Sequence, residues 1–335
     1  MKGTLIVHRA GPGITVQDLG RAGYLGFGLS RSGAADPLAL FEGAALLGQD
    51  VGAAALEIAI SGGVFEATAS TRIALTGAPM PASIDGARIA WNASHALHPG
   101  ARLEIGSATQ GVYGYLHVDG GFDTALTLGS RSTHLGVGLG AAVSAGHRLP
   151  IKPGSEVGAG LGLQPMPRFE GGKLRMVDGP QTHLFSSAEI ERFTNTVFRR
   201  SSKGNRMGVG LAFDGEPFHT EFGLKILSEI IVQGDVQITG DGTPFALMSE
   251  CQTTGGYPRI GSIIPPDLPR LAQTPSGAEL GFEWISLEDA VIAEQEERER
   301  RETLRAACFP LVRDPKTIDN LLSHQLVSGV TAGDD

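Results

Sequence analysis

Neutral hydrogen-bonding side chains are concentrated in MSECQTTGGYPRIG, residues 248–261, directly after an apolar strand-like run. Gln252, Thr253 and Thr254 supply amide and hydroxyl groups, which suit an amide or ureido ligand better than a phosphate. The Gly-Gly pair that follows lets the backbone approach a ligand closely, and Pro258 ends strand pairing. The segment therefore predicts a site for an amide-like ligand, with a polar β-turn as the structural alternative.

Two further clusters place a guanidinium among polar groups. The SRST motif at 130–133 surrounds Arg131 with hydroxyls, which suits a carboxylate or carbonyl oxygen. Asn205 and Arg206 precede a Met-Gly pair and would fix a second guanidinium. A solvated turn for Arg131 and a structural salt bridge for Arg206 are also consistent with these patterns. The adjacent His134 fits a packed or capping histidine better than a catalytic one.

A long loop at 11–37 carries few hydrophobic residues, which favours a functional role. Asp18 and Arg21 are its candidates for ligand contact, although a surface turn pair fits the same spacing. Asp36 is instead predicted to cap a helix, because Pro37 follows it at the first helical position.

The chain lacks the motifs of a self-contained nucleotide, metal or serine-hydrolase site. If strand pairing runs past Met248, Glu250 and Gln252 share one face and Cys251 lies on the other. Cys251 has no histidine within its motif and is predicted to be inert. Cys251 and Cys308 are the two cysteines of the chain, too few for a disulfide framework. So few cysteines are typical of a protein in a reducing cytosol.

Composition narrows the class of protein. The 335 residues include 48 glycines, which indicates many tight turns and short strands, and the formal net charge of −9 argues against nucleic acid as a partner. The N-terminus lacks the long apolar run of a signal peptide, and no run approaches eighteen apolar residues. We therefore expect a soluble, cytoplasmic protein that binds neither nucleic acid nor membrane.

Short strand-like runs dominate and predict a mainly β fold with sandwich- or barrel-like domains. The GDG turn at 240–242 between two of these runs is a strong hairpin signal. The runs are Thr4–His8, Arg72–Thr76, Gly114–Val118, Ile230–Val232, Val236–Thr239 and Pro244–Met248.

Three helices are predicted against this background. The first follows Asp36 and ends at Gly48, the second runs from the capping box at Ser186 to about Arg199, and the third begins at Ser286. The third helix carries acid–base pairs four residues apart, which predicts a solvated face; they are Glu294/Arg298, Glu296/Arg300 and Glu297/Arg301.

The Pro/Gly-rich stretch at 165–172 predicts a domain boundary. We expect an N-terminal β-rich domain at 1–165, a second β-rich domain at 172–290, and a charged helix and poorly ordered tail at 291–335.

The order of motifs in this chain resembles the family of allophanate hydrolase subunit 2, also called KipA or the C subunit of 5-oxoprolinase. These proteins correspond to subdomains A and B of the biotin-dependent carboxyltransferase domain in urea carboxylase. The resemblance covers about residues 3–290. It rests on TVQDLGR, SGAADP, ALE, LTGA, GYLHVDGGFD, LGSRST, NRMG, CQTTGGYPRIG and LPRLAQ.

The resemblance implies a C-terminal barrel of cyclophilin-like fold and an active site shared with a partner, the B subunit or a KipI-like protein. It implies an ATP-dependent 5-oxoprolinase, with a further A subunit, that opens the lactam of 5-oxoproline to glutamate. This chain would bind no cofactor alone, and the complex would use ATP. Two alternatives stay open: carboxyl transfer from carboxybiotin to urea or a related amide, and a non-catalytic regulator that binds a KipI-like protein.

Both reactions require stabilisation of charge on an amide or ureido oxygen, which fixed dipoles provide without reorganisation. Under the resemblance, the expected catalytic residues are Arg131, Gln252, Thr253 and Thr254. The expected substrate-binding residues are Asp18, Arg21, Ser132, Asn205, Arg206 and Tyr257, and no metal site is expected.

The chain departs from the family pattern at several positions. Val209 and Gly210 replace a tyrosine and an arginine, Glu250 stands where Asp or Asn is usual, and Gly43-Ala44 replaces Ala-Asn. Loss of an arginine from a substrate-facing loop would remove a carboxylate anchor. The departures therefore favour a divergent member with a different amide or lactam substrate, and they strengthen the non-catalytic alternative.

Overall fold

The computed structural model describes residues 3–154, 158–221 and 223–312. Over these ranges the chain is mainly β, as expected, with four α-helices. No helix within them combines the length and apolar character needed to cross a membrane. The tail expected beyond the last helix falls largely outside the described residues.

The first half of the chain forms two antiparallel sheets with strands of different lengths. One has six strands in the order β11-β1-β4-β9-β6-β7. The other has seven strands, of which the first six are in the order β2-β3-β10-β5-β8-β12 and the seventh comes from the C-terminal part of the chain. The strands are β1 Thr4–Ala10, β2 Thr15–Gln17, β3 Ala55–Ala59, β4 Gly63–Ala67, β5 Thr71–Gly77, β6 Ala82–Ile84, β7 Ala87–Ile89, β8 Ala93–Leu97, β9 Arg102–Ile105, β10 Tyr113–Val118, β11 Arg148–Pro150 and β12 Leu161–Gly162.

The second half forms a closed barrel, in the order β13-β20-β17-β18-β15-β14-β21, beside a two-stranded ribbon, β16-β19. A closed barrel is the architecture that the cyclophilin-like resemblance implies. The strands are β13 Gly172–Val177, β14 Phe198–Arg200, β15 Gly208–Ala212, β16 Glu229–Ile230, β17 Asp235–Ile238, β18 Pro244–Leu247, β19 Thr254–Gly255, β20 Arg259–Ile263 and β21 Glu279–Trp284. As predicted, β17 and β18 pair as a hairpin around the GDG turn.

The helices are α1 Pro37–Leu47, α2 Ser187–Asn195, α3 Leu268–Gln273 and α4 Leu287–Thr303. Asp36, Ser186 and Ser286 cap three of them as predicted, because each side chain accepts a backbone N–H of the first turn. Helix α2 ends four residues earlier than expected. Phe198 lies instead in β14, where its ring is buried in the barrel core and its backbone pairs with β21.

The charged helix α4 lies against β13 of the barrel, and the residues just after it contact α1. Arg305, just beyond α4, donates to the carbonyl of Ala45 at 2.6 Å, and strand β22 Phe309–Pro310 then pairs with β12 at the edge of the seven-stranded sheet. Among the described residues, Glu297 contacts both Arg300 and Arg301. The pairs expected at Glu294/Arg298 and Glu296/Arg300 are not within ion-pair distance there, so that prediction was right for one pair of three.

Buried polar contacts lock the barrel to the first half. Arg168, in the connecting stretch, pairs with Asp36 at 2.8 Å and Glu42 at 2.7 Å. Gln273 of α3 donates to Asp36 and accepts the backbone N–H groups of Val112 and Tyr113. The division near 165–172 stays a proposal, supported by the change from the two sheets to the barrel.

Candidate functional site

An open cleft of about 480 Å³ lies where loops of the first half meet the barrel. It is lined by Gln252, Thr253 and Thr254, three of the four residues expected to be catalytic. The other lining residues are Gly28, Ser30, His134, Gly136, Val137, Met207, Glu250 and Cys251. The cleft therefore joins the loop at 28–30, the turn after the SRST motif, and the segment after β18.

The segment after β18 does not continue as a strand, so the condition for alternating faces is not met. The strand ends at Leu247, and the N–H of Cys251 closes a turn onto the carbonyl of Met248 at 3.0 Å. The turn buries Glu250 and Cys251 and exposes Gln252. The N–H of Ser32 donates to the carbonyl of Ser249 at 3.0 Å, so the loop of the first half holds this turn in place.

A chain of three buried polar side chains crosses the cleft. Ser30 Oγ lies 2.9 Å from His134 Nε2, and His134 Nδ1 lies 3.6 Å from Glu250 Oε2. His134 Nδ1 makes no hydrogen bond within the described residues, and the tautomer of the ring sets which of Ser30 Oγ and Nε2 is the donor. Burial, reinforced by Arg21 and Arg206 and opposed by Glu250, lowers the pKa of His134. The ring is therefore neutral at neutral pH and able to accept a proton.

Arg206 fixes the carboxylate end of this chain. Its guanidinium donates to Glu250 at 2.6 Å, to Glu57 of β3, and to the carbonyl of Gly33 at 2.5 Å. Although burial opposes the charge, Glu57 and Glu250 raise the pKa of Arg206 above its usual value. Because all three nitrogens are engaged, Arg206 positions Glu250, and the structural salt bridge considered from the sequence is present.

Asp18 and Ser132 hold together the two loops that carry Ser30 and His134. Ser132 Oγ donates to Asp18 at 2.5 Å and accepts the Asp18 N–H at 2.9 Å. Asp18 also accepts from Ser130 Oγ at 2.6 Å and from the backbone of Arg131 at 2.6 Å. Although burial raises it, these bonds together lower the pKa of Asp18.

Three other residues expected at the site do not line the cleft. The Arg131 guanidinium pairs with Asp123 at 2.9 Å. The Asn205 side chain accepts the N–H of Met207 at 2.8 Å. Tyr257 is exposed beyond β19. Their roles toward a ligand, and those of Asp18 and Ser132, stay predictions.

Arg21 is almost fully buried beside the cleft, where Nη2 donates to the carbonyl of Ser132. Cys251 lines the cleft, but burial, with the nearby Asp235, raises the pKa of its thiol to about 12. The thiol therefore stays protonated at neutral pH, as its predicted inertness requires.

The departures from the family pattern at 209–210 and 43–44 lie outside the cleft. Val209 and Gly210 are in strand β15, not in a substrate-facing loop, and Val209 is buried in the barrel core. A Cβ at Gly43 would come 2.3 Å from Nε2 of His117, so the packed imidazole requires glycine there. Burial lowers the pKa of His117 to about 3, so this ring is neutral.

Sequence reasoning missed Ser30 and His134 as members of the site. Glu250 stood out only as a departure from the family pattern. Ser30, His134 and Glu250 lie far apart along the chain, and no local spacing links them.

The fold combines two antiparallel sheets with a closed barrel, and comparisons with known proteins identify its family. The family described as carboxyltransferase domain, subdomain A and B, matches residues 27–284. The chain is 36% identical over 305 residues to the C subunit of 5-oxoprolinase from Escherichia coli K12, covering 90% of this chain and 97% of that protein. It is 32% identical to the same subunit from Haemophilus influenzae, covering 82% of this chain and 89% of that protein. The chain belongs to the carboxyltransferase subdomain A and B family.

Solved structures show the same fold within longer chains. TTHA0988 superposes with a TM-score of 0.78 at 30% identity, covering 84% of this chain, which spans only 56% of that one. The Kluyveromyces lactis urea amidolyase superposes with a TM-score of 0.80 at 23% identity, covering 93% of this chain and 21% of that one. The latter likeness concerns the fold alone.

Proposed function

We propose that this chain is one subunit of a multi-subunit, ATP-dependent 5-oxoprolinase-like enzyme that converts 5-oxoproline to glutamate, and that it is inactive alone. The observation that carries the proposal is the near full-length match to two proteins named as the C subunit of 5-oxoprolinase. The partners would be the B subunit or a KipI-like protein, together with the A subunit. The complex would use ATP.

The cleft offers the groups that opening a lactam requires. The ring nitrogen must gain a proton and the carbonyl oxygen must be stabilised as charge develops on it. The neutral His134, in contact with Ser30 and facing Glu250, would take a proton from the water that attacks the carbonyl carbon and pass it to the ring nitrogen as the C–N bond breaks. Gln252, Thr253 and Thr254, which line the same cleft, would supply neutral dipoles to the carbonyl oxygen.

The test is reconstitution from purified chains. The chain assembled with its A and B partners should release glutamate from 5-oxoproline in an ATP-dependent reaction, and the chain alone should release none. A correctly assembled complex without this activity would contradict the assigned substrate. Activity of the chain alone would contradict the requirement for partners.

A second candidate is carboxyl transfer from carboxybiotin to urea or a related amide. It is supported by 29% identity over 84% of this chain to a protein named putative urea carboxylase in Emericella nidulans, of which the match covers 24%. The discriminating measurement supplies a biotin carboxylase and a biotinylated carrier protein with bicarbonate, ATP and urea. Urea-dependent loss of carboxyl from the carrier, with no turnover of 5-oxoproline, would favour this candidate.

A further inference from the structure

A second pocket, of about 290 Å³, adjoins the cleft at Ser30 and Cys251, which line both. It lies between the loop at 21–31 and the barrel-side segments at 231–233 and 249–251. Most of its wall is apolar. The apolar part is formed by Tyr24, Leu25, Leu29, Ile231 and Val232.

Arg21 brings a positive charge to this pocket without a carboxylate partner. Its side chain is 2% exposed, and among the described residues no carboxylate lies within ion-pair distance of it. The nearby Asp18 is already occupied by the hydroxyls of Ser130 and Ser132 and by backbone N–H groups. A buried guanidinium that is not paired is costly, since burial disfavours its charge.

Residues from both halves of the chain that line this pocket carry donor atoms without a hydrogen-bond partner. Arg21 Nε and Nη1 are buried and have no hydrogen-bond partner within the described residues, and the same holds for Ser249 Oγ and Gln233 Nε2. Ser249 is only 3% exposed. Buried polar groups are nearly always satisfied, so several orphaned donors among the residues that line one pocket indicate a ligand with several acceptors. A charged donor among them, inside an apolar wall, selects a small organic anion.

We propose that this pocket binds the carboxylate of a small organic acid, with Arg21 as its ion-pair partner and Ser249 and Gln233 as further donors. The rest of the ligand extends past Ser30 into the cleft, toward His134. The inference deepens the proposed function and rests on it for the identity of the acid: 5-oxoproline carries a carboxylate next to the lactam that the cleft would process.

Three probes separate the carboxylate from the lactam. They are 5-oxoproline, cyclopentanecarboxylate, which keeps the carboxylate without the lactam, and 2-pyrrolidinone, which keeps the lactam without the carboxylate. Calorimetric titration of the full-length chain, alone and with its partners, should show binding of both carboxylates. Arg21→Gln should weaken that binding by about 10- to 100-fold, and Ser249→Ala by roughly 3- to 10-fold, as expected for charged and neutral hydrogen bonds.

Two comparisons serve as controls. Binding of 2-pyrrolidinone should be weak and unchanged by Arg21→Gln. Arg148→Gln removes an exposed guanidinium from β11, which does not line the pocket, and should leave carboxylate binding unchanged. If Arg21→Gln proves poorly folded by circular dichroism, Ser249→Ala and the thermal shift produced by cyclopentanecarboxylate decide the question.

The outcomes separate this inference from the proposed function. Carboxylate binding that is absent, or equally tight in folded Arg21→Gln, overturns the pocket assignment. Arg21-dependent binding of cyclopentanecarboxylate with no turnover of 5-oxoproline supports the pocket and overturns the proposed reaction. If Arg21→Gln instead weakens association with the KipI-like partner and no small acid binds, the guanidinium pairs with a protein carboxylate and the inference is wrong.

Discussion

His134 Nδ1 lies 3.6 Å from Glu250 Oε2, which brings a loop of the first half of the chain against a turn of the barrel. Ser30 lies on the opposite side of the imidazole, 2.9 Å from Nε2. The proposed acid–base group therefore depends on the docking of the two halves, and Arg206 is the residue that ties the carboxylate to both.

Replacing His134 should affect the chemical step more than substrate binding. In the assembled complex, His134→Gln should lower kcat by about 10²- to 10⁴-fold, the usual contribution of a general acid–base group, with little change in KM. Steady-state glutamate release measures both constants. His98→Gln, at an exposed position outside the cleft, is the matched control. An unchanged kcat in His134→Gln would show that the imidazole has only a packing role.

Gln252→Ala should leave the fold intact, because the side chain is exposed on the cleft wall. We expect a change in the free energy of unfolding within about 0.5 kcal/mol and a loss of kcat of about 10²-fold. Urea denaturation and glutamate release are the two measurements. Unfolding of the variant would instead indicate that Gln252 serves the turn.

Arg131→Ala tests the expectation that this guanidinium is catalytic. The fold should survive, because Asp18 is bound by the backbone N–H of Arg131 and not by its side chain. The sequence-based prediction is loss of turnover with partner binding retained. The guanidinium pairs with Asp123 and does not line the cleft. Turnover equal to that of the wild type in this variant would contradict the prediction and leave the residues that line the cleft as the candidates for catalysis.

Arg206→Met should destabilise the protein by about 3–5 kcal/mol, because it leaves Glu57 and Glu250 buried without their counter-charge. Chemical denaturation gives the difference. Arg199→Met removes an exposed pair with Asp214 and should cost at most about 1 kcal/mol. Equal effects of the two substitutions would contradict the buried network.

Acid should destabilise the fold in part through Asp18. Its pKa is lower in the folded protein than in the unfolded chain, so the unfolded chain binds a proton first as the pH falls. Its contribution is complete above the ordinary aspartate pKa of about 3.9 and is lost as the pH falls through the lower folded value. Asp18→Asn should therefore flatten the acid limb of a stability–pH curve measured between about pH 5 and 2. Asp214→Asn, at an exposed position, should change that limb much less.

Features that depend on neighbours in the chain were predictable. The caps at Asp36, Ser186 and Ser286 satisfy N–H groups within three residues, and the GDG turn joins adjacent strands. The end of α2 was not predictable in this way. Phe198 leaves the helical pattern because the barrel core and the pairing with β21 stabilise a strand there, and neither is visible in a local window.

The sequence by itself determined the family, the mainly β architecture and the polar segment at 252–254 that lines the cleft. The family follows from the order of motifs, and the architecture follows from short apolar runs separated by turn residues. Only the tertiary structure decided that Arg206 positions Glu250, that Asp18 ties two loops, and that Ser30, His134 and Glu250 meet. The physical reason is that burial and charge pairing act between residues far apart in the chain, and these interactions arise only when the barrel docks onto the two sheets.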